Sequence, residues 1–438
     1  MDKYGFTNLF HESIEWSHIR ADTPESLRKL FLHSSEFDAS LADCLSKHDW
    51  GNTIEKLPNM ANFFSIVRQI DHGSSGIIMK VKLNDGMHSD RQNISEKLHD
   101  LQLSERSNSM ASETSSARST PTPQKSYGQF FVLKEFIHTD NKSQDSYNFD
   151  AVNEYLVLKA ACRHTGSNRW LASVYGLLYD SASNSLAMAL DFYPNGDLLS
   201  LLVRARKHKI DVSRDFIDMA FYKVFLAVKF LHYRNIVHRD IKPENVLIDS
   251  NGQLRLGDFG YAVDLSRISD YRLDGNYLSL GTRSFKAPEL FKYKQMGDKE
   301  VDAADVEFAS IDVWSLGILY YQLRTLSKPW IEATPADASF KAYLRIHETV
   351  TSSKLDGYGI RQLFATSKKI DHGFTKLTRD ETVTTMLALL DPDPRRRASI
   401  RQLGLTEWII QLRLKYEEIS KTKKSLRDDE VLRLATLK

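Results

Sequence analysis

His238-Arg239-Asp240-Ile241-Lys242-Pro243-Glu244-Asn245 is followed, thirteen positions after Asn245, by Asp258-Phe259-Gly260. A lone His-Arg-Asp triplet says little, whereas this run with Asp-Phe-Gly at that separation is specific. Both pieces lie in a loop-rich stretch between Leu231 and Pro288, inside a region that is otherwise helical from about Leu198. Upstream the pattern changes. FFSIVRQID (63–71) reads as a strand, HGSSG as a glycine-containing turn and IIMKVKL (77–83) as a second strand. QFFVLKEF (129–136) reads as the hairpin partner of IIMKVKL. The stretch between them, 85–127, is rich in Ser and Thr and contains Thr120-Pro121-Thr122-Pro123. It holds too little apolar surface to offset its ordering entropy, so a disordered insertion inside one domain is expected. Such an insertion adds little to the cost of closing the hairpin.

After Asp150, AVNEYLVLKAAC puts Val152, Tyr155, Leu156 and Leu158 near one helical face, and SVYGLLYD and LAMALDFY read as short strands. The expected fold class is α+β, with a small β-rich lobe to about residue 193 and a larger helical lobe from about 197. Residues 1–62 carry no recognisable chemistry and read as an N-terminal extension in which HESIEWSHI and ESLRKLFLHS form helical turns. Residues 412–438 read as one charged, solvated helix.

Composition narrows the function. The 438 residues hold 59 Lys+Arg against 57 Asp+Glu, a formal charge of +2 that is too balanced for generic attraction to nucleic acid. Two cysteines, Cys44 and Cys162, exclude a disulfide-stapled scaffold. No apolar run approaches the ~18 residues of a membrane span. The N-terminus lacks the character of a secretory signal. A cytoplasmic or nuclear protein is expected, with no membrane span and no nucleic-acid partner.

Together these segments resemble the eukaryotic protein kinases of the Ser/Thr-specific type, from about Phe63 to about Gln411. The resemblance implies a two-lobed kinase fold, ATP and Mg²⁺ as cofactors, and protein substrates. Phosphoryl transfer asks mainly for an aligned hydroxyl and for compensation of phosphate charge. The resemblance accordingly makes Asp240 the group that orients the acceptor and takes its proton. Asn245 and Asp258 become the Mg²⁺ ligands, and Lys242 the lysine near the transferred phosphate. Thr282, in Gly281-Thr282-Arg283-Ser284-Phe285-Lys286-Ala287-Pro288-Glu289, bridges Asp240 and Lys242. Lys134 holds the α- and β-phosphates with Glu154 as its partner. Asp71-His72-Gly73-Ser74-Ser75-Gly76 is similar to the phosphate-covering loop; it keeps Gly73 and Gly76 but has Asp71 where the first glycine belongs, and Ile78 follows in the nucleotide-binding set. Leu190 sits beside adenine in the hinge, the main chain of Asp191 and Tyr193 meets the adenine edge, and Asp197 reaches the ribose. Glu289 pairs with Arg397, and Asp312 braces the catalytic loop.

The resemblance also implies alternatives. A pseudokinase scaffold would be expected to lose Lys134, Asp240 or Asn245, all of which are present, as is Asp258. A small-molecule kinase shares the core motif but not GTRSFKAPE. Lys328-Pro329-Trp330 with Ala333, Asp337, Phe340 and Tyr343 resembles fungal Ser/Thr kinases. An upstream kinase is expected to act on the activation segment or on Thr120 and Thr122 of the insertion. Leu278 occupies the usual acceptor position, so Ser279 becomes the expected site. Asp197 and Glu244 imply basic residues before the substrate hydroxyl.

Overall fold

The computed structural model describes residues 25–73, 76–84, 130–140, 142–162, 169–353, 355–367, 372–377, 379–422 and 428–437. HESIEWSHI, the Ser74-Ser75 turn and the 85–127 insertion lie outside these residues.

Alternating burial builds the small lobe. Helix α1 (Glu25–Lys47) precedes a five-stranded antiparallel sheet of β1 (Phe64–Gly73), β2 (Gly76–Leu83), β3 (Phe130–Glu135), β4 (Val174–Asp180) and β5 (Ser185–Asp191), in the order β1-β2-β3-β5-β4. Val81, Phe131, Leu133, Leu178, Ala187 and Ala189 point to one face and form a core with Leu30 of α1. Leu177 and Met188 point to the other, toward helix α2 (Gln144–Cys162). β1 behaves as an edge: beyond Phe64 its residues are exposed, and bulges interrupt its pairing between Ile66 and Arg68 and between Gln69 and Asp71.

The single apolar face read for α2 is too narrow a description. Every residue from Ala151 to Lys159 is buried, including Asn153, Glu154 and Lys159, because the helix is covered by the sheet on one side and by α1 on another. Hydrophobic periodicity registers only the apolar share of such a helix.

The large lobe contains α3 (Leu198–Lys207), α4 (Arg214–His232), α5 (Gly275–Leu278), α6 (Pro288–Met296), α7 (Phe308–Thr325), α8 (Ala338–Ser353), α9 (Gly357–Thr366), α10 (Asp380–Leu389), α11 (Ile400–Leu403), α12 (Glu407–Thr422) and α13 (Asp429–Ala435). Two short ladders, β6 (Ile236–Val237) with β9 (Val263–Asp264) and β7 (Val246–Ile248) with β8 (Leu254–Leu256), carry the loop between α4 and α5. α7 is the central post, buried from Ser310 to Leu323.

The chain's last described stretch departs from the single solvated helix expected for 412–438. It holds the end of α12 and a separate α13, whose Val431 and Leu434 are buried against α3. Asp428 caps α13, accepts from Lys223 Nζ at 3.0 Å and donates its amide to Asn251 O at 2.7 Å. Two apolar residues among many charges are too few for periodicity to weigh. Gly252, at φ +77°, is required opposite this contact, since a Cβ there would stand 2.6 Å from Asp428 O. Both cysteines are buried and unpaired with each other. Among the described residues no helix is long and apolar enough to cross a membrane.

Candidate active site

The loop between β6 and β7 is held from beneath by Asp312 of α7, which is fully buried. Its Oδ2 accepts from the His238 amide at 2.8 Å and its Oδ1 from the Arg239 amide at 2.7 Å; His232 Nε2 lies 2.8 Å from Oδ2. Burial opposes a charge on Asp312, but His232 and the amides keep its carboxyl below the usual carboxylate range. That anchor holds a strained residue, Arg239 at φ +65°, and Asp258 on the following loop has φ +58°; such left-handed backbone costs roughly 1–3 kcal/mol per non-glycine residue.

On this frame Asp240, Lys242, Asn245 and Thr282 come together. Lys242 Nζ donates to Asp240 Oδ2 at 2.6 Å and to Thr282 Oγ1 at 2.9 Å. Thr282 donates its hydroxyl to Asp240 Oδ1 at 2.7 Å and its amide to the same oxygen at 3.0 Å. Asn245 Nδ2 donates to Asp240 O at 2.9 Å.

Lys134 of β3 forms a second cluster. Its ammonium donates to both Glu154 oxygens, at 2.7 and 2.8 Å, and to Asp258 Oδ1 at 3.0 Å. Burial would deprotonate this lysine, but the Glu154 and Asp258 carboxylates outweigh it and raise its pKa. Burial likewise opposes ionisation of Asp258, and Lys134 overrides it, holding the carboxyl at about 2. The amide of Gly257, next to Asp258, donates to Asn245 O at 2.8 Å, which ties the two oxygen-bearing residues together. A carboxylate and a carboxamide oxygen fit Mg²⁺, which takes few protein ligands and otherwise water and phosphate.

The remaining nucleotide-site residues line the strands above. Ile78 pairs with Lys134 and with Asp71, so its position follows directly from the register of β1, β2 and β3. Gly73 and Gly76 face each other across the turn. Asp71 is exposed, and its Oδ1 accepts from the neighbouring His72 amide at 2.8 Å. A Cβ on Gly76 would stand 2.5 Å from Glu135 O. Gly76→Ala is therefore expected to destabilise by about 1–3 kcal/mol through overpacking and to raise KM for ATP, read by a thermal melt and initial rates.

Leu190, half-buried, pairs with Val132 and Val174. The Asp191 amide is taken by Ser173 O at 3.2 Å, while the Tyr193 hydroxyl accepts from the Ser173 amide at 3.1 Å. Asp197 is already occupied as the cap of α3, where Ser200 donates its amide at 2.8 Å and its hydroxyl at 2.6 Å.

The activation segment corrects one expectation. Ser279 is buried, and its hydroxyl donates to Asn276 O at 2.9 Å, so it is poorly placed to receive a phosphate. Arg239 donates to Tyr277 O at 2.6 Å and to Leu278 O at 3.2 Å in the same segment. The segment is ordered by these carbonyl contacts without added charge. Ser279→Ala is expected to keep transfer within about twofold of the unaltered chain, as for a substitution that costs one weak hydrogen bond; a rate below a tenth would restore Ser279 as an acceptor. Glu289 and Arg397 form a buried two-bond pair, at 2.7 and 2.9 Å.

Sequence reasoning missed Asn153, which donates to Ala262 O at 3.1 Å and accepts from Tyr271 Oη at 2.7 Å, joining α2 to the activation segment. An asparagine in an apolar helical run gives no signal of what it will meet more than a hundred positions later.

Known proteins place this geometry. The family profile described as Protein kinase domain matches residues 115–409. The chain is 39% identical over 142 residues to 3-phosphoinositide-dependent protein kinase B of Dictyostelium discoideum, covering 32% of this chain and 14% of that protein. It is 23% identical over 299 residues to the probable serine/threonine-protein kinase HAL5-like of Vanderwaltozyma polyspora, covering 66% and 36%. It is 28% identical over 210 residues to cAMP-dependent protein kinase type 3 of Saccharomyces cerevisiae, covering 45% of each. The chain thus spans less than half the length of each of these relatives. With the profile extending over most of the chain and the two clusters described above inside or directly beside it, the chain belongs to the protein kinase domain family.

Proposed function

We propose that this chain is an ATP-dependent protein Ser/Thr kinase that moves the γ-phosphoryl group of ATP to the hydroxyl of serine and threonine residues in proteins. The observation that carries the reading is Lys134 bridging Glu154 and Asp258, with the Asp240–Lys242–Thr282 cluster on the loop tied to Asp258. Lys134, kept charged by its two carboxylates, binds the α- and β-phosphates. Asp240 orients the acceptor hydroxyl and takes its proton, and Lys242 sits where charge develops on the moving group. Asn245 and Asp258 would hold Mg²⁺, which when bound compensates phosphate charge. Leu190, the main chain of Asp191 and Tyr193, and Ile78 enclose the base.

The test is transfer of labelled phosphate from Mg·ATP to a mixture of serine-, threonine- and tyrosine-containing peptides, beside Lys134→Met. Label on serine and threonine that disappears in the variant supports the reading. A folded chain that binds Mg·ATP and transfers nothing would point to a kinase awaiting input from another kinase, and one that neither transfers nor binds Mg·ATP would make it a scaffold.

Glu244 supports basic residues before the acceptor, since its Oε2 is buried without a hydrogen-bond partner among the described residues. Asp197 supports this less, with both oxygens taken by Ser200. An arrayed peptide library showing no gain from upstream arginine would remove the preference. Thr120 and Thr122, each followed by proline, would take input from an upstream kinase; phosphopeptide mapping that never finds either occupied would count against it. The composition supports a cytoplasmic or nuclear setting.

A further inference from the structure

Several buried polar side chains of α2 face away from the phosphate site and are not used by the chemistry above. Lys159 is 1% exposed and donates to Asp38 Oδ1 of α1 at 3.0 Å. The same oxygen accepts from Tyr155 Oη at 3.0 Å, and Tyr155 directly follows Glu154. At the first turn of α2, Asp145 Oδ1 accepts from Trp50 Nε1 at 2.7 Å, and His48 Nδ1 lies 3.1 Å from its other oxygen. His48 also stacks on Phe149, with centroids 5.4 Å apart and planes within 1° of parallel. The same segment is fixed to the sheet, because the Tyr179 amide of β4 donates to Pro58 O at 3.0 Å. Residues 25–62 therefore form a strap from the edge of the sheet across α2, touching it at its first turn and again around Glu154.

We propose that this strap is a built-in positioning element for Glu154, with Asp38 and Trp50 as its positioning residues; the inference rests on the kinase reading of the site. A helix lying on one face of a sheet is free to slide or rotate as a body unless other contacts fix it. The Lys134–Glu154 pair alone fixes it at a single point, and Lys134 keeps the Asp258 carboxylate as a partner if Glu154 moves away. Asp38 works differently. Moving α2 away from α1 would break the bonds that both Lys159 and Tyr155 make to Asp38 Oδ1, and separating a buried ion pair is strongly unfavourable. Trp50 and Asp145 hold the other end, so a shift along the helix axis breaks one site or the other. The strap thus selects the one placement of α2 at which Glu154 reaches Lys134. In this chain an element N-terminal to the sheet does what an activating partner would otherwise have to do.

The test uses the full chain. Asp38→Ala and Trp50→Phe are made alone and in a Glu154→Gln background, and kcat, both KM values and amide hydrogen exchange are measured. Each single change is expected to lower kcat by about tenfold, within the range that mutations coupled to a site reach, with KM for peptide unchanged. Exchange is expected to rise in residues 144–162 while α4 and α7 stay protected. In the Glu154→Gln background neither change should lower kcat further, because the pair they position is already gone. An equal loss in both backgrounds would mean general stabilisation and overturn the proposal, as would unchanged exchange in α2. Should Asp38→Ala fail to fold, Trp50→Phe carries the same comparison, since it keeps an aromatic ring and removes the indole donor. If the unaltered chain transfers no phosphate, the kinase reading fails separately. The exchange measurement then decides alone: protection lost in α2 keeps the strap, and protection retained overturns it.

Discussion

Replacing Asp240 with asparagine is expected to slow phosphate transfer by roughly a hundredfold to ten-thousandfold, the contribution of a well-placed proton acceptor. The shape of the side chain is kept, so the effect isolates charge and lone pairs. Asp240 Oδ1 accepts from the Thr282 hydroxyl and amide, and Oδ2 from Lys242. An amide NH₂ at the Oδ2 position would face the Lys242 ammonium, and at the Oδ1 position the Thr282 amide, donors from which it cannot accept. KM for ATP should change little, because Lys134 and Asp258 lie on other elements. Initial rates with labelled ATP check this; a rate within tenfold of the unaltered chain would remove Asp240 from the chemistry.

Glu289→Ala should produce the largest loss of stability. The Arg397 side chain has no exposure, and its guanidinium would lose both carboxylate oxygens while staying in place against Trp314 and the carbonyls of Ser310 and Asp391. Breaking a buried pair by removing one partner costs about 3–5 kcal/mol. In urea the midpoint of the large lobe should fall with the slope unchanged, which distinguishes lost stability from a change in the unfolded chain. Removing both charges with Glu289→Leu and Arg397→Leu should cost much less than the single change. A midpoint that does not move in Glu289→Ala would show that the carbonyl contacts already satisfy the arginine.

How much of this was readable depends on where the partners of each residue lie. Asp240, Lys242 and Asn245 fall within a few positions of one another, and their chemistry fixes their spacing, so a linear string displays them. The strands around Lys134 followed from alternation, whereas periodicity caught α2 only from residue 151 of a helix that begins at Gln144. Burial was not readable in the same way. Ser279 could be reached by position alone, and only packing reveals that its hydroxyl is spent on Asn276 O. Asp38 and Lys159 are 121 positions apart, and each alone looks like an ordinary surface charge. Asp197 was assigned to a ligand, although a cap for α3 is the role its own neighbours supply.

The seating of α13 sets a schedule for synthesis. Lys223 meets Asp428, 205 positions later in the chain. At roughly 5–20 residues per second, the ribosome needs about 10–40 s to deliver that partner after Lys223 has been made. Through that interval the surface of α3 that receives Val431 and Leu434 stands uncovered, and during its last 146 residues (428 − 282), those after Thr282, every residue of both phosphate-site clusters has already been translated. A nascent chain of this protein therefore carries a complete set of catalytic residues before its core is closed, and the interval is one in which chaperones have an apolar surface to hold.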